Sequence, residues 1–232
     1  MCTTPIFTHF KPYNLFMSEL APVCCPLCSS SLCTRIDHAR SRDFVLCAHC
    51  SLIFVPSQFH LTADEEKGIY DYHENNPDDA GYRNFLARLV TPMMERVPDG
   101  AKGLDFGCGP GPTLGLMFEE SAYTMSNYDL FYAPDKELLE GKYDFVCATE
   151  VVEHFRNPSE GFEQLFACLK PKGVLGLMTK LVPSIENISN WHYTRDTTHI
   201  AFYQPETFAY IAERFAAKVE ILRQDVIILT RM

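Results

Sequence analysis

Short apolar runs alternate with glycine-containing turns and with segments of helical period from about residue 99 to the end of the chain. Strand, turn and helix repeating in this order predict an α/β fold, in which a mostly parallel sheet is covered by helices. We expect strands over residues 102–106, 123–128, 145–149 and 174–178.

Helical period and capping signals predict three helices, and two apolar runs after the last of them predict an antiparallel C-terminal hairpin. The clearest helix start is Asn157-Pro158, which Glu160 follows in the capping-box position. The Lys-Pro-Lys-Gly segment at 170–173 is expected to end this helix. The helices span residues 81–97, 158–169 and 205–215, and the hairpin strands span 219–222 and 226–230.

The N-terminal part of the chain has a different pattern. Residues 1–20 have no sustained period and are expected to form a flexible arm. Residues 21–60 are rich in cysteine with short β-like runs, and residues 61–98 form a polar linker with lid helices. The α/β domain itself is expected to span residues 99–232.

The composition favours a soluble protein that does not bind nucleic acid broadly. A hydrophobic content of 47% in 232 residues suits a buried core. No apolar run approaches the roughly 20 residues needed to span a bilayer, and no secretory leader pattern is present, so we expect no membrane association and a cytoplasmic location. A net charge of −10 works against a phosphate-binding surface, so nucleic acid is not an expected partner.

Four cysteines fall in two pairs that predict a metal site. Cys25-Pro-Leu-Cys28 and Cys47-Ala-His-Cys50 have the spacing of two knuckles around a tetrahedral four-thiolate zinc ion. A ribbon this short needs a metal to fold, so the zinc is expected to be structural. Cys24 and His49 remain alternative ligands.

A glycine-rich turn after the first predicted strand of the α/β domain is the candidate cofactor site. Residues 103–112 read Gly-Leu-Asp-Phe-Gly-Cys-Gly-Pro-Gly-Pro. Glycines of this kind allow a sharp turn and let a ligand approach the main chain. Asp129 ends the next predicted strand, where a carboxylate can accept both hydroxyls of an adenosine ribose.

This turn resembles the first motif of class I S-adenosylmethionine-dependent methyltransferases. Residues 143–154 are similar to the fourth-strand motif of that superfamily and residues 169–175 to its entry into strand five. The resemblance, particularly to bacterial methyltransferases of the type 11 and type 12 groups, implies a Rossmann-like fold and S-adenosylmethionine as cofactor. The segment between Asp129 and Tyr143 is too short for the usual third strand, so we expect this strand to be lost or shortened. The acidic residue that follows the third strand in this superfamily and binds the adenine has no obvious counterpart in this sequence.

The resemblance also implies which residues contact the cofactor. Asp105, Gly107 and Gly109 are expected to face its methionine part and Asp129 its ribose. The full expected set is Tyr82, Asp105, Gly107, Cys108, Gly109, Asp129, Leu130, Thr149 and Glu150, with Tyr70, Tyr72 and His73 as alternatives to Tyr82.

Three histidines are the candidate catalytic residues, because each follows a predicted strand at the same edge of the sheet. His154 follows the strand-four motif and is favoured as a proton acceptor, although it could instead pack against the following helix. His192 and His199 lie in residues 190–199, an aromatic and polar segment that resembles a segment of related bacterial methyltransferases and implies a substrate pocket. Glu150 and Glu153 follow the same strand; Glu150 is an alternative cofactor contact, and a solvated surface side chain is the alternative for Glu153.

We therefore expect an S-adenosylmethionine-dependent methyltransferase that acts on an oxygen, nitrogen or carbon acceptor of a small molecule or a protein. An RNA methyltransferase is an alternative, supported by Arg35, His38, Arg40 and Arg42 in the predicted ribbon. A non-catalytic module that keeps the fold is a third interpretation.

Overall fold

The computed structural model describes residues 23–72 and 75–232, and within these ranges it has ten strands and five α-helices. The strands are β1 Cys33–Ala39, β2 Arg42–Cys47, β3 Ile53–Phe54, β4 Lys102–Phe106, β5 Thr124–Tyr128, β6 Tyr143–Thr149, β7 Leu169–Met178, β8 Ala201–Phe202, β9 Ala217–Arg223 and β10 Val226–Arg231. The helices are α1 Ala63–Tyr70, α2 Ala80–Met94, α3 Thr113–Glu119, α4 Pro158–Ala167 and α5 Pro205–Arg214. The expected arm at 1–20 and the candidate His73 lie outside the described residues.

Six strands form the central sheet in the order β5-β4-β6-β7-β10-β9. Strand β4 pairs in parallel with β5 and β6, and β6 pairs in parallel with β7, whereas β10 is antiparallel to both β7 and β9. The predicted mostly parallel sheet with an antiparallel C-terminal hairpin is confirmed. Because β4, β5 and β6 are parallel, their carboxyl ends meet at one edge of the sheet, which is where α/β proteins bind ligands.

The expected loss of the third strand is also confirmed. Residues 129–142 are all described and contribute no strand to the sheet; they form an isolated bridge between Asp129 and Ala133 and a 3-10 helix at Lys136–Glu140. Leu138 and Leu139 of this helix pack against the main core. Strand β5 is therefore left at the edge of the sheet.

The start of β7 differs most from the sequence-based expectation. Strand β7 begins at Leu169, which pairs with Tyr143, although residues 170–173 were expected to be a loop that ends the helix. The pairing shifts register after Tyr143, and Lys172 has a φ of 63°, so the segment remains in the sheet as an irregular start of the strand. Local turn signals cannot reveal such a bulge, because the partner strand creates it.

Alternate side chains of the parallel strands fill two hydrophobic clusters, one on each face of the sheet. Val146 and Leu175 lie in the cluster that includes residues of α4 and α5. Phe145 and Val174 lie in the cluster that includes residues of α2 and α3. Burial on both faces explains the near-continuous apolar character of these strands.

The cysteine-rich segment is joined to the α/β domain through a second sheet, which has the order β1-β2-β3-β8. Ile53 of β3 pairs with Phe202 of β8, a strand that follows residues 190–199. Gln204 donates a hydrogen bond to the Ser51 carbonyl and Arg214 donates one to the Leu27 carbonyl. The ribbon is thus built onto the segment that was expected to form a substrate pocket.

None of the helices in the described residues is long and apolar enough to cross a membrane.

Candidate active site

A cavity of about 660 Å³ opens at the carboxyl ends of β4, β5 and β6. This volume lies within the roughly 300–1,000 Å³ that is usual for small-molecule sites. Nine of the residues expected to contact a cofactor line it: Tyr82, Asp105, Gly107, Cys108, Gly109, Asp129, Leu130, Thr149 and Glu150. The sheet topology therefore brings together side chains and main-chain groups from four separate stretches of sequence.

The loop after β4 is held in a left-handed conformation that only glycine adopts without strain. Gly107 has a φ of 80° and Gly109 a φ of 66°. A Cβ on Gly107 would lie 2.5 Å from a methyl group of Val151, and one on Gly109 would lie 2.6 Å from the Asn75 amide nitrogen. The Gly107 amide also donates to the Tyr128 carbonyl at 2.7 Å, which ties the loop to the end of β5.

Asp129 stands at the end of β5 with both carboxylate oxygens oriented by main-chain donors. Its Oδ2 accepts a hydrogen bond from the Gly109 amide at 3.0 Å. Its Oδ1 accepts from the amides of Phe131 and Tyr132 at 2.8 and 3.0 Å. These three donors fix the carboxylate against the glycine loop.

Asp105 is the most unusual group at the cavity. Its side chain is buried, and its Oδ1 has no hydrogen-bond partner within the described residues. Burial raises the pKa of Asp105 to about 7, and the nearby charge of Asp129 adds to the increase. A buried carboxylate without a donor is costly, so this position is suited to a ligand that brings a cationic or N–H donor group.

Tyr82 from α2 lies over the same end of the cavity and is half-buried. Burial, followed by the charges of Asp105 and Glu150, raises the pKa of Tyr82 to about 12. Of the alternatives, Tyr70 lines the cavity, whereas Tyr72 is 86% exposed and does not. Tyr82 therefore carries a protonated hydroxyl at neutral pH.

Glu150, His154 and His199 also line the cavity, and the buried side chains of Glu153 and Tyr193 lie directly behind them; we call these five residues the acid–histidine cluster. The Tyr193 hydroxyl contacts a carboxylate oxygen of Glu153 and lies 3.2 Å from Oε2 of Glu150. Glu150 has a φ of 52°, a costly conformation for a residue with a Cβ, and such strain is concentrated at functional sites. The three side chains thus form one connected network.

The expectation of a solvated Glu153 is wrong. Its side chain is fully buried, and Oε2 has no hydrogen-bond partner in the described part of the chain. Burial raises the pKa of Glu153 to about 8, and the nearby charge of Glu150 adds to the increase. Burial is also the main cause that raises the pKa of Glu150 to about 7. The turn after β6 directs Glu153 inward, and the pattern of polar residues gave no sign of that.

His154 and His199 come together although 44 residues of sequence lie between them. Their ring centroids are 4.8 Å apart, and both line the cavity. Nδ1 of His154 lies 3.1 Å from the Thr198 carbonyl, and Nδ1 of His199 lies 2.8 Å from the Tyr193 carbonyl. Burial, followed by repulsion from His154, lowers the pKa of His199 to about 4, so its ring is neutral at physiological pH.

The structure does not bring His192 to this cluster. His192 is exposed, its Nε2 lies 2.9 Å from Nζ of Lys180, and it does not line the cavity. Sequence reasoning in turn missed Asn75 and Phe85, which do line it, whereas Asp196, which also lines it, belongs to the segment 190–199 that was expected to form a substrate pocket. Asn75 lies in the linker and Phe85 lies in α2. No motif or spacing in these segments indicates that either residue lines a cavity.

The four predicted zinc ligands also come together. The sulfur atoms of Cys25 and Cys50 are 3.5 Å apart, as are those of Cys28 and Cys47, and all four lie within 4.8 Å of one another. Tetrahedral Zn–S bonds of about 2.3 Å place sulfur atoms roughly 3.8 Å apart, so the arrangement fits one ion. Neither alternative ligand belongs to this group: Cys24 is exposed and His49 packs against the Tyr210 ring.

Comparison with known proteins gives one family match and many similar folds. A family model described as a methyltransferase domain matches residues 79–220, which is more than half of the chain. A SAM-dependent methyltransferase from Archaeoglobus fulgidus is similar in structure, with a TM-score of 0.50, 19% identity, and coverage of 64% of this chain and 93% of that one. The 1,6-didemethyltoxoflavin-N1-methyltransferase of Burkholderia thailandensis has a TM-score of 0.49, 14% identity, and coverage of 79% of this chain and 96% of that one. No curated protein sequence matches the chain.

Proposed function

We propose that this enzyme methylates an oxygen, nitrogen or carbon atom of a small molecule. The premise is that the chain belongs to the methyltransferase domain family and is an S-adenosylmethionine-dependent methyltransferase. The observation that carries this proposal is one cavity lined both by Asp105, a buried carboxylate whose Oδ1 has no hydrogen-bond partner in the described residues, and by Glu150, His154 and His199 of the acid–histidine cluster. A protein side chain is the second acceptor class compatible with a cavity of this depth.

At the first end, Asp105 is the group we assign to the amino group of the cofactor. An ammonium donor would supply the hydrogen bond that Oδ1 lacks and would hold the carboxyl in its ionised form. Gly107 and Gly109 allow the main chain to approach the ligand, and the oriented carboxylate of Asp129 suits a pair of ribose hydroxyls. Cys108, Leu130 and Thr149 complete the proposed contacts.

At the other end, the acid–histidine cluster would position the acceptor and remove its proton. S-adenosylmethionine supplies, when bound, a methyl group on a positively charged sulfur that is a good leaving group. His154 and His199 line the cavity beside Glu150, and burial raises the pKa of Glu150 to about 7, which is the range in which general bases act well. An acceptor O–H or N–H lying against these groups can transfer its proton to one of them as the new bond forms.

We also propose that the four cysteines hold a structural zinc ion. The support is the four-thiolate geometry together with the position of the cluster inside the hydrophobic core, where Cys25, Cys47 and Cys50 are all buried. A closed site of four thiolates has no open coordination position, so it stabilises the fold and takes no part in the reaction.

The charged residues of the ribbon make an RNA acceptor less favourable. Arg35 and His38 both face Asp43, at 3.6 and 2.7 Å. Arg42 is buried and Arg40 donates to the Ser189 carbonyl. Side chains that are already paired in this way do not form the phosphate-binding surface that RNA requires.

The acceptor class is tested by transfer of radiolabelled methyl groups from S-adenosylmethionine. The enzyme is offered a panel of phenols, amines and carbon acids, a protein extract and total RNA in separate reactions, with the Asp129→Ala variant as the control. We expect label in small molecules with the wild-type enzyme and a strong reduction with the variant. Label found only in protein or only in RNA would contradict the small-molecule proposal.

A further inference from the structure

We propose that Glu153, His154 and His199 bind a divalent metal ion at the acceptor end of the cavity, and that this ion activates an oxygen acceptor. The inference rests on the proposed function, because it concerns the same end of the cavity. One ligand atom from each of the three residues lies within 4.8 Å of the others, which is the spacing of side chains that can share one ion.

Both imidazoles are oriented as metal ligands are. Nδ1 of His154 and Nδ1 of His199 lie against main-chain carbonyls, at 3.1 and 2.8 Å, so each Nδ1 carries the proton and Nε2 carries the lone pair. Metal-binding histidines characteristically donate their other ring N–H to a carbonyl or carboxylate, which fixes both the tautomer and the ring orientation. The two histidines come from different parts of the chain and show the same arrangement.

Glu153 supplies an independent observation. One carboxylate oxygen is held by the Tyr193 hydroxyl, but Oε2 is buried without any hydrogen-bond partner in the described residues. The described ion pairs include none between a lysine or arginine and either Glu150 or Glu153. Buried carboxylates are normally paired or bound to a metal, so a cation is the missing partner that this group requires.

The ligand types indicate which ion would bind. Two imidazole nitrogens and a carboxylate oxygen favour first-row divalent metals such as Mn²⁺, Fe²⁺ or Zn²⁺ over Ca²⁺. The set contains no thiolate, so it differs in chemistry from the four-cysteine cluster. Asp196 Oδ2 lies 3.7 Å from Nε2 of His199 and adds a negative charge beside the site.

Three protein ligands leave coordination positions open toward the cavity, as in catalytic metal sites. An ion held there would lower the pKa of an acceptor hydroxyl, so that its proton passes to water or to a neighbouring side chain. The oxygen then forms the bond to the methyl carbon, and the carbon–sulfur bond breaks with its electron pair remaining on sulfur.

The test is a titration of the zinc-loaded protein with Mn²⁺, in which electron paramagnetic resonance measures the free ion. We expect the wild type to bind one Mn²⁺ per chain in addition to the ribbon zinc. His154→Ala and Glu153→Gln should weaken this binding tenfold or more. The matched control is His192→Ala, because His192 lies in the same segment as His199 but outside the cavity, and it should bind Mn²⁺ as the wild type does.

Folding of each variant is checked by its melting temperature, and His199→Gln provides a second, more conservative ligand change. A wild type that binds S-adenosylmethionine but no Mn²⁺ at 1 mM or below would overturn the metal inference and leave the methyltransferase proposal standing. Equal Mn²⁺ binding by His192→Ala and His154→Ala would also overturn it. A wild type that does not bind S-adenosylmethionine would instead count against the proposed function.

Discussion

Arg42 connects the cysteine ribbon to the segment that carries His199, and its replacement tests whether the ribbon supports the active site. The guanidinium is 3% exposed and donates to the main-chain carbonyls of Thr194, Asp196, Thr197 and His199. All four acceptors lie in one loop. A single side chain from β2 thus binds four carbonyl groups of a segment that has only one short 3-10 helix, His192–Arg195.

The size of the effect follows from the carbonyls that would lose their donor. The bonds to Thr194 and His199 are buried, and each unsatisfied buried carbonyl costs about 1–3 kcal/mol. Arg42→Met would therefore cost about 4 kcal/mol at these two groups, less a part recovered because a buried charge is removed. Burial lowers the pKa of Arg42, which agrees with a real cost of keeping that charge inside. We expect a net loss of about 3 kcal/mol.

The assay is urea denaturation, with Arg40→Met as the matched control. Arg40 is exposed and bonds to the same loop at the Ser189 carbonyl and the Thr194 hydroxyl, so its loss should cost less than about 1 kcal/mol. In activity measurements Arg42→Met should raise KM for the acceptor while affinity for S-adenosylmethionine changes little. If both variants unfold at the same urea concentration, the reasoning about Arg42 is refuted.

Three further predictions concern zinc, pH and the glycine loop. One zinc ion per chain should be measured by elemental analysis, and Cys25→Ser should lose it and lower the melting temperature, whereas Cys33→Ser should keep it. The pKa of Asp105 is raised to about 7, so the folded cofactor-free protein holds this proton more tightly than the unfolded chain does. The free energy of unfolding should therefore fall by up to about 4 kcal/mol as the pH rises from about 4 to about 7. Urea denaturation at pH 5 and pH 7.5 should show a smaller fall for Asp105→Asn than for the wild type. Gly109→Ala should destabilise the protein by about 1–2 kcal/mol, because Gly109 has a positive φ and its Cβ would contact Asn75 of the linker. Gly68→Ala, in open space on α1, should instead stabilise the protein by up to about 1 kcal/mol. Equal melting temperatures of the two variants would contradict this prediction.

The meeting of the glycine turn and Asp129 at one cavity could be predicted from the sequence because its signals are local. The glycine turn demands a backbone that other residues avoid, and Asp129 follows the next strand at a fixed distance along the chain. The missing third strand could be predicted by counting, since residues 129–142 are too few to form a strand with its helices. In each case one short stretch of sequence contains the physical constraint.

The acceptor end could be predicted only in part, because its contacts are long-range. The pairing of β3 with β8 and the reach of Arg42 across 152 residues to Thr194 depend on where two distant segments meet. The burial of Glu153 depends on the direction of one irregular turn after β6. No periodicity or motif spacing contains this information, so the sequence does not distinguish the exposed His192 from the buried His199.

The central claim is that the cavity binds S-adenosylmethionine with its ribose at Asp129. The measurement is calorimetric titration of the zinc-loaded protein, of Asp129→Ala and of Asp135→Ala, in which the control aspartate caps a 3-10 helix outside the cavity. We predict binding by the wild type and by Asp135→Ala, and binding about tenfold to a hundredfold weaker in Asp129→Ala, as expected when hydrogen bonds to a charged group are lost. No binding by the wild type, or equal affinity in wild type and Asp129→Ala, would contradict the account.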